Sequence, residues 1–241
     1  MRISHCQAAL VASSLLLATS AHAEVRPTAH THNFIVPTGE TLPAGSQQLE
    51  LVEFGLGRAF IGVTDRVEVA IALYGLAGGS VGARVALLPR DQPLRLVVSG
   101  AAYFTLAADV ESDGPPALQG SVTAAHQTAR SSIHGTISAV LQPDTEHAIG
   151  FLTLGVSYRL TPRVALMAEY VRTSACDQPF GDCRPTIVVT PMAGVKVIGA
   201  DWDLDLGVIA VPMGDMMSSD DGSGYREPAI SLPLVRYAKR Y

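Results

Sequence analysis

The chain has 241 residues, 48% hydrophobic, 16% charged and 6% aromatic, with a formal net charge of −5 and a mean hydropathy of +0.27. So apolar a composition excludes disorder, and three cysteines without a Gly-X-Y period exclude a disulfide scaffold and a collagen. Beyond residue 23 no window holds the ~18–20 uncharged apolar residues of a membrane helix, the longest uncharged runs being Val69–Ala83 and Gly114–Ala129.

Residues 1–23 read as a secretory signal peptide. Arg2 is the basic start, Ala8 to Ala18 the apolar stretch, and Ala21-His22-Ala23 the small-x-small cleavage site. The mature chain is expected to begin at Glu24. Cys6 lies before the apolar stretch with no lipobox leading into it, so a lipid anchor is not expected. Export places the two remaining cysteines, Cys176 and Cys183, in an oxidising compartment. They flank a loop with Pro179 and Gly181, which suits a local disulfide; free thiols and a metal site are the alternatives. A metal would need two more ligands, and the loop and its flanks offer no histidine.

Along the mature chain the dominant signal is alternation of period two. Val67, Val69, Ile71 and Leu73 oppose Glu68, Ala70, Ala72 and Tyr74. Leu94, Leu96, Val98, Ala102 and Phe104 oppose Arg95, Ser99 and Tyr103. Ile133, Ile137, Ala139 and Leu141 oppose His134, Thr136 and Ser138. Similar patterns run through 148–160, 163–172 and 202–211. Successive side chains of a strand point to opposite faces, so each segment has one apolar and one polar or small face. At about 9–13 residues the segments exceed the ~5–6 of ordinary globular strands and match the ~9–11 of a tilted strand crossing a bilayer.

Strands are predicted near 47–57, 65–74, 80–88, 93–107, 117–128, 132–142, 147–160, 163–173, 185–198, 202–212 and 228–240. An even count is expected of a bacterial barrel. The segment 31–38, weakened by Pro37, is the candidate twelfth strand, turning into the next through 38–46; ten strands remain the other count. Tight connections such as Leu160-Thr-Pro-Arg163 alternate with long ones at 109–116, 143–146, 174–184 and 212–227. The expected fold is therefore all-β, an antiparallel up-and-down transmembrane barrel of about 12 strands over 47–241, preceded by an N-terminal segment over 24–46.

Gly62-Val-Thr-Asp-Arg66 and Arg159-Leu-Thr-Pro-Arg163 share a Thr-x-Arg turn ahead of an alternating strand. This pattern resembles Gram-negative outer-membrane β-barrel proteins, over most of the mature chain and without a subfamily motif. The end of the chain fits in part: Val235, Tyr237 and Tyr241 alternate, and Lys239 interrupts them. The resemblance implies an outer-membrane location, lipid as a partner, and the barrel-assembly machinery as another; the oligomeric state stays open.

With apolar faces outward, the inner face carries Glu68, Arg84, Arg95, His134, Glu169, Lys196, Asp203 and Asp205, the candidate lumen lining. Many other inward positions are small, which favours a water-filled passage. The long loops are acidic, and their carboxylates are candidates for divalent cations shared with lipid phosphates. No basic patch suits nucleic acid. No cofactor, catalytic or metal motif is present. Of His30, His32, His126, His134 and His147, none has an evident nucleophile and orienting partner, and His126 shares the apolar face with Val122 and Ala124. The expected function is a passive small-solute channel or a structural membrane component, not an enzyme. The alternatives are a soluble periplasmic or secreted β-sandwich binding protein and an outer-membrane lipid hydrolase.

Overall fold

The computed structural model describes residues 38–53, 55–75, 78–105, 116–142, 147–176, 186–212 and 229–241. They form twelve strands: β1 Gln47–Val52, β2 Leu56–Gly62, β3 Val67–Tyr74, β4 Gly78–Ala86, β5 Leu94–Thr105, β6 Ala117–Gln127, β7 Ser131–Gln142, β8 His147–Thr161, β9 Val164–Cys176, β10 Thr186–Ile198, β11 Trp202–Pro212 and β12 Ala229–Arg240. Each strand pairs antiparallel with its chain neighbours, and β1 pairs β12, closing a single barrel. A two-sheet sandwich is thereby overturned: every strand is bonded on both sides, leaving no edges and no second sheet to pack against.

The count of twelve matches expectation, but one strand is differently composed. The expected strand over 47–57 is two, β1 and β2, folded back at Glu53–Gly55, where Gly55 takes a φ of 80°. Only glycine adopts that conformation without strain. The candidate strand over 31–38 lies almost wholly outside the described residues, and the ring closes without it.

Alternation sets the orientation of every wall residue. In β1, Gln48, Glu50 and Val52 are buried while Leu49 and Leu51 are exposed. In β7, His134, Thr136 and Ser138 are buried while Ile137 is 70% exposed. The surface is thus inverted relative to a water-soluble protein, with apolar side chains outside and polar ones within. Closure satisfies the backbone donors and acceptors of the wall, the condition for non-helical chain in lipid.

The Thr-x-Arg turns have a common physical cause. The Thr64 hydroxyl accepts the N–H groups of Arg66 at 3.1 Å and Val67 at 3.0 Å. Thr161 accepts the N–H of Arg163 at 3.2 Å. A third copy, Thr128-Ala129-Arg130, does the same at 3.2 Å. A short hydroxyl side chain that captures the N–H two residues on holds a tight turn closed. These turns lie at one end of the barrel, called here the short-turn end. The long connections leave from the other end.

Candidate functional site

The functional surface of a barrel is its inner wall, and here the wall is divided. On one side is a belt of charges. Lys196 on β10, Asp205 on β11, Arg236 on β12, Glu50 on β1 and Arg58 on β2 follow one another around the ring with alternating sign. Arg236 donates to Asp205 at 2.6 Å and to Glu50. Arg58 reaches Glu50 at 2.7 Å, and Lys196 lies 3.8 Å from Asp205. Gln48 donates to Glu50 at 2.6 Å. The alternation continues in sign through Glu68 on β3 and Arg84 on β4, cross-strand partners joined at 3.0 Å. Asp203, two residues nearer the short-turn end on β11, faces Arg240 at 3.7 Å. All the carboxylates of the belt are buried. Buried charge is tolerated only when paired and hydrogen-bonded, which this alternation provides.

The eight residues expected on the inner face from sequence are all buried inside the ring, and the structure separates their roles. Glu68, Arg84, Lys196 and Asp205 belong to the belt, with Asp203 beside it. Arg95 is tied to the wall itself: its guanidinium donates to the carbonyls of Pro89, at 3.1 Å, and Gln92. It closes the turn between β4 and β5. His134 lies across Gly155 of β8, its register partner, and Gly155 in turn pairs Glu169 of β9. A Cβ at position 155 would stand 2.2 Å from His134 Nε2, so the ring occupies the space a side chain would fill.

The opposite wall, β5 to β7, is largely hydroxylic. Ser99 and Ser121 are hydrogen-bonded, as are Thr123 and Thr136 at 2.8 Å. Toward the long loops Tyr103 donates to Gln119, and Tyr74 bonds Ser80 at 3.1 Å. The rings of Tyr74 and Tyr103 stack with centroids 6.0 Å apart. On the belt side, from β9 round to β2, the interior also holds an apolar cluster of Val52, Met167, Met192 and Leu234, packed on Leu56, Val171 and Ile209. The inner face is therefore not polar throughout.

Four residues central to the belt were absent from the sequence-based lining: Glu50, Arg58, Arg236 and the capping Gln48. Glu50 and Arg236 obey the same alternation, between Leu49 and Leu51 and between Val235 and Tyr237. Arg58 was hidden because β2 was not recognised.

His126 and His134 sit on opposite faces of the wall, since His134 pairs Ala125. No three metal-ligating side chains converge among the described residues. Cys176 ends β9, and Cys183 lies outside the described residues, as do the acidic loop residues and His30 and His32.

No protein-family model matches the chain, and no curated protein matches it. Solved structures do. A NanC porin structure aligns over 80% of this chain and 97% of its own, with a TM-score of 0.54 and 8% identity. A Salmonella typhi OmpF complex with daunomycin aligns over 78% of this chain and 62% of its own, TM-score 0.44, 12% identity. Pseudomonas aeruginosa OccK5 (OpdH) aligns over 77% and 57%, TM-score 0.45, 9% identity. At such identities the likeness is one of fold: this chain has a closed antiparallel barrel fold similar to that of the NanC porin, matched along nearly the whole NanC chain.

Proposed function

We propose that the protein is an outer-membrane β-barrel forming a narrow passage for small solutes. The observation that carries this reading is the inverted wall: an apolar belt outside a closed ring whose interior holds a ladder of paired charges. In water the exposed belt, with Leu49, Leu51, Ile71, Leu73, Val122, Ile137 and Leu206 among its members, would form an apolar surface far larger than soluble proteins show. In lipid it is the favourable face. Export through the segment 1–23 and insertion by the assembly machinery complete this reading. Passage would run beside the hydroxylic wall of β5 to β7, with the charge belt opposite it setting ion preference. The apolar cluster that fills part of the interior favours a second reading, a structural barrel that conducts nothing.

Two measurements test this. The folded protein in detergent should migrate differently on a gel before and after boiling; a soluble protein indifferent to heating would sink the membrane reading. Reconstituted protein should give discrete conductance steps in planar bilayers. Heat-modifiable protein silent in every variant, including those below, leaves the structural role.

A further inference from the structure

The chain enters β1 from inside the barrel. Thr38, Glu40, Thr41 and Leu42 are buried, Leu42 completely. Gly39 has a φ of 81°, and a Cβ there would stand 2.9 Å from Ala125 Cβ and 3.4 Å from Arg95 Cβ. The backbone of the segment thus lies directly on the inner surface of β5 and β6. It is held by polar contacts to the short-turn end of the wall. The Leu42 N–H donates to Glu68 Oε2 at 2.8 Å, and the Ala44 N–H to Asp65 Oδ1 at 3.1 Å. Arg90, on the β4–β5 turn, donates to the Thr41 carbonyl and, at 3.3 Å, to its hydroxyl.

The segment leaves the lumen over Gly62, where a Cβ would stand 2.0 Å from the Pro43 carbonyl oxygen. Gly45 and Ser46 then bond Gly62 and turn the chain into β1. Cavities of about 40 Å³ remain beside it, one against Thr38, Ser157 and Lys196, the other against Glu40, Arg90 and Arg95. That is room for a few waters, not for a solute. Residues 38–42 belong to no strand, so withdrawing them breaks none of the ladder bonds that close the barrel.

We propose that Thr38–Leu42 is a tethered internal plug that closes the short-turn mouth, and that its withdrawal opens the passage. This rests on the reading of the barrel as a channel and supplies its regulation. The seat depends on glycine at position 39, whose φ and close approach to Ala125 exclude a branched side chain. Gly39→Val should expel the segment while leaving the wall untouched. Conversely, Gly39→Cys with Ala125→Cys, in a chain whose native cysteines are replaced by serine, places two Cβ atoms close enough for a disulfide after a small outward shift.

The experiment combines planar-bilayer conductance with labelling of a Thr41→Cys thiol by a membrane-impermeant maleimide, each on protein verified as heat-modifiable. Labelling should be slow with Gly39 and many-fold faster with Gly39→Val. Open probability should rise several-fold in Gly39→Val. The oxidised cysteine pair should be silent and should conduct once reduced. Fast Thr41→Cys labelling with Gly39 in place would overturn the plug, as would labelling that Gly39→Val does not accelerate. Faster labelling with conductance equal to that of a conducting wild type would overturn the gate and leave the channel. Faster labelling with every variant silent would overturn the channel reading, and the gate with it.

Discussion

Arg236 on β12 and Glu50 on β1 are bonded across the line where the end of the barrel meets its beginning. The two residues stand 186 positions apart in the chain. Arg236 simultaneously holds Asp205 on β11, so one guanidinium ties three consecutive strands at the seam. The short β1 contributes few ladder bonds of its own, and the charge contact supplements them.

Arg236→Met removes the centre of the belt and leaves Glu50 and Asp205 buried with fewer partners. Breaking a buried pair from one side costs about 3–5 kcal/mol. The urea midpoint of the folded barrel in detergent should fall accordingly. Adding Glu50→Gln and Asp205→Asn should not recover the loss, because Arg58 and Lys196 then lose their own carboxylates. A single substitution without effect would show that the seam is held by its backbone ladder alone.

Ile137 and its neighbour Thr136 separate the two faces of the wall. Ile137→Arg places a charge on the outer belt, which in lipid costs about 2–4 kcal/mol near the midplane. On a water-exposed surface the same change would be nearly neutral or would aid solubility. Refolding into vesicles should therefore be impaired by Ile137→Arg and little affected by Thr136→Ser. Equal tolerance of the two would contradict a lipid-facing β7.

The wall was legible from sequence because one rule governs it. Period-two alternation gave nearly the observed bounds of β5 to β12, since a residue between two lipid-facing neighbours must point inward. The rule failed where two strands ran together. From Gln47 to Gly62 the apolar pattern is continuous, and only Gly55 marks the reversal. Losing β2 hid Arg58 and invited a strand over 31–38 to restore the even count. The plug had no local signal at all: its burial follows from contacts with Asp65, Glu68, Arg90 and Ala125, remote in sequence and unrelated by period. The apolar cluster was legible only in part: alternation sets Met167 on the face of Glu169, but nothing in it groups Met167 with Met192 and Leu234.

Gly155 and His134 form a complementary pair, an absent side chain and a ring that fills its place. Gly155→Ala would drive a methyl group into the imidazole. Overpacking of this kind costs about 1–3 kcal/mol. His134→Ala combined with Gly155→Ala should restore much of the loss, giving a coupling of roughly 0.5–3 kcal/mol in a double-mutant cycle of urea unfolding. Additive losses would mean that the ring moves aside freely and that the glycine serves another purpose.

Arg95 and Lys196 are both inward-facing cations, yet their surroundings assign them different work. Arg95 spends its donors on the carbonyls of Pro89 and Gln92. Both border a small cavity, but Lys196 sits 3.8 Å from a carboxylate that Arg236 already holds. Arg95→Met should cost about 1–3 kcal/mol, through carbonyls left without a charged donor, and should leave ion preference unchanged. Lys196→Gln removes one positive charge from the belt and should move the reversal potential in a salt gradient toward cation preference, measured in the Gly39→Val background. An equal shift from both substitutions would show that Arg95 acts on passing ions as Lys196 does, and that the turn it closes is held by other bonds.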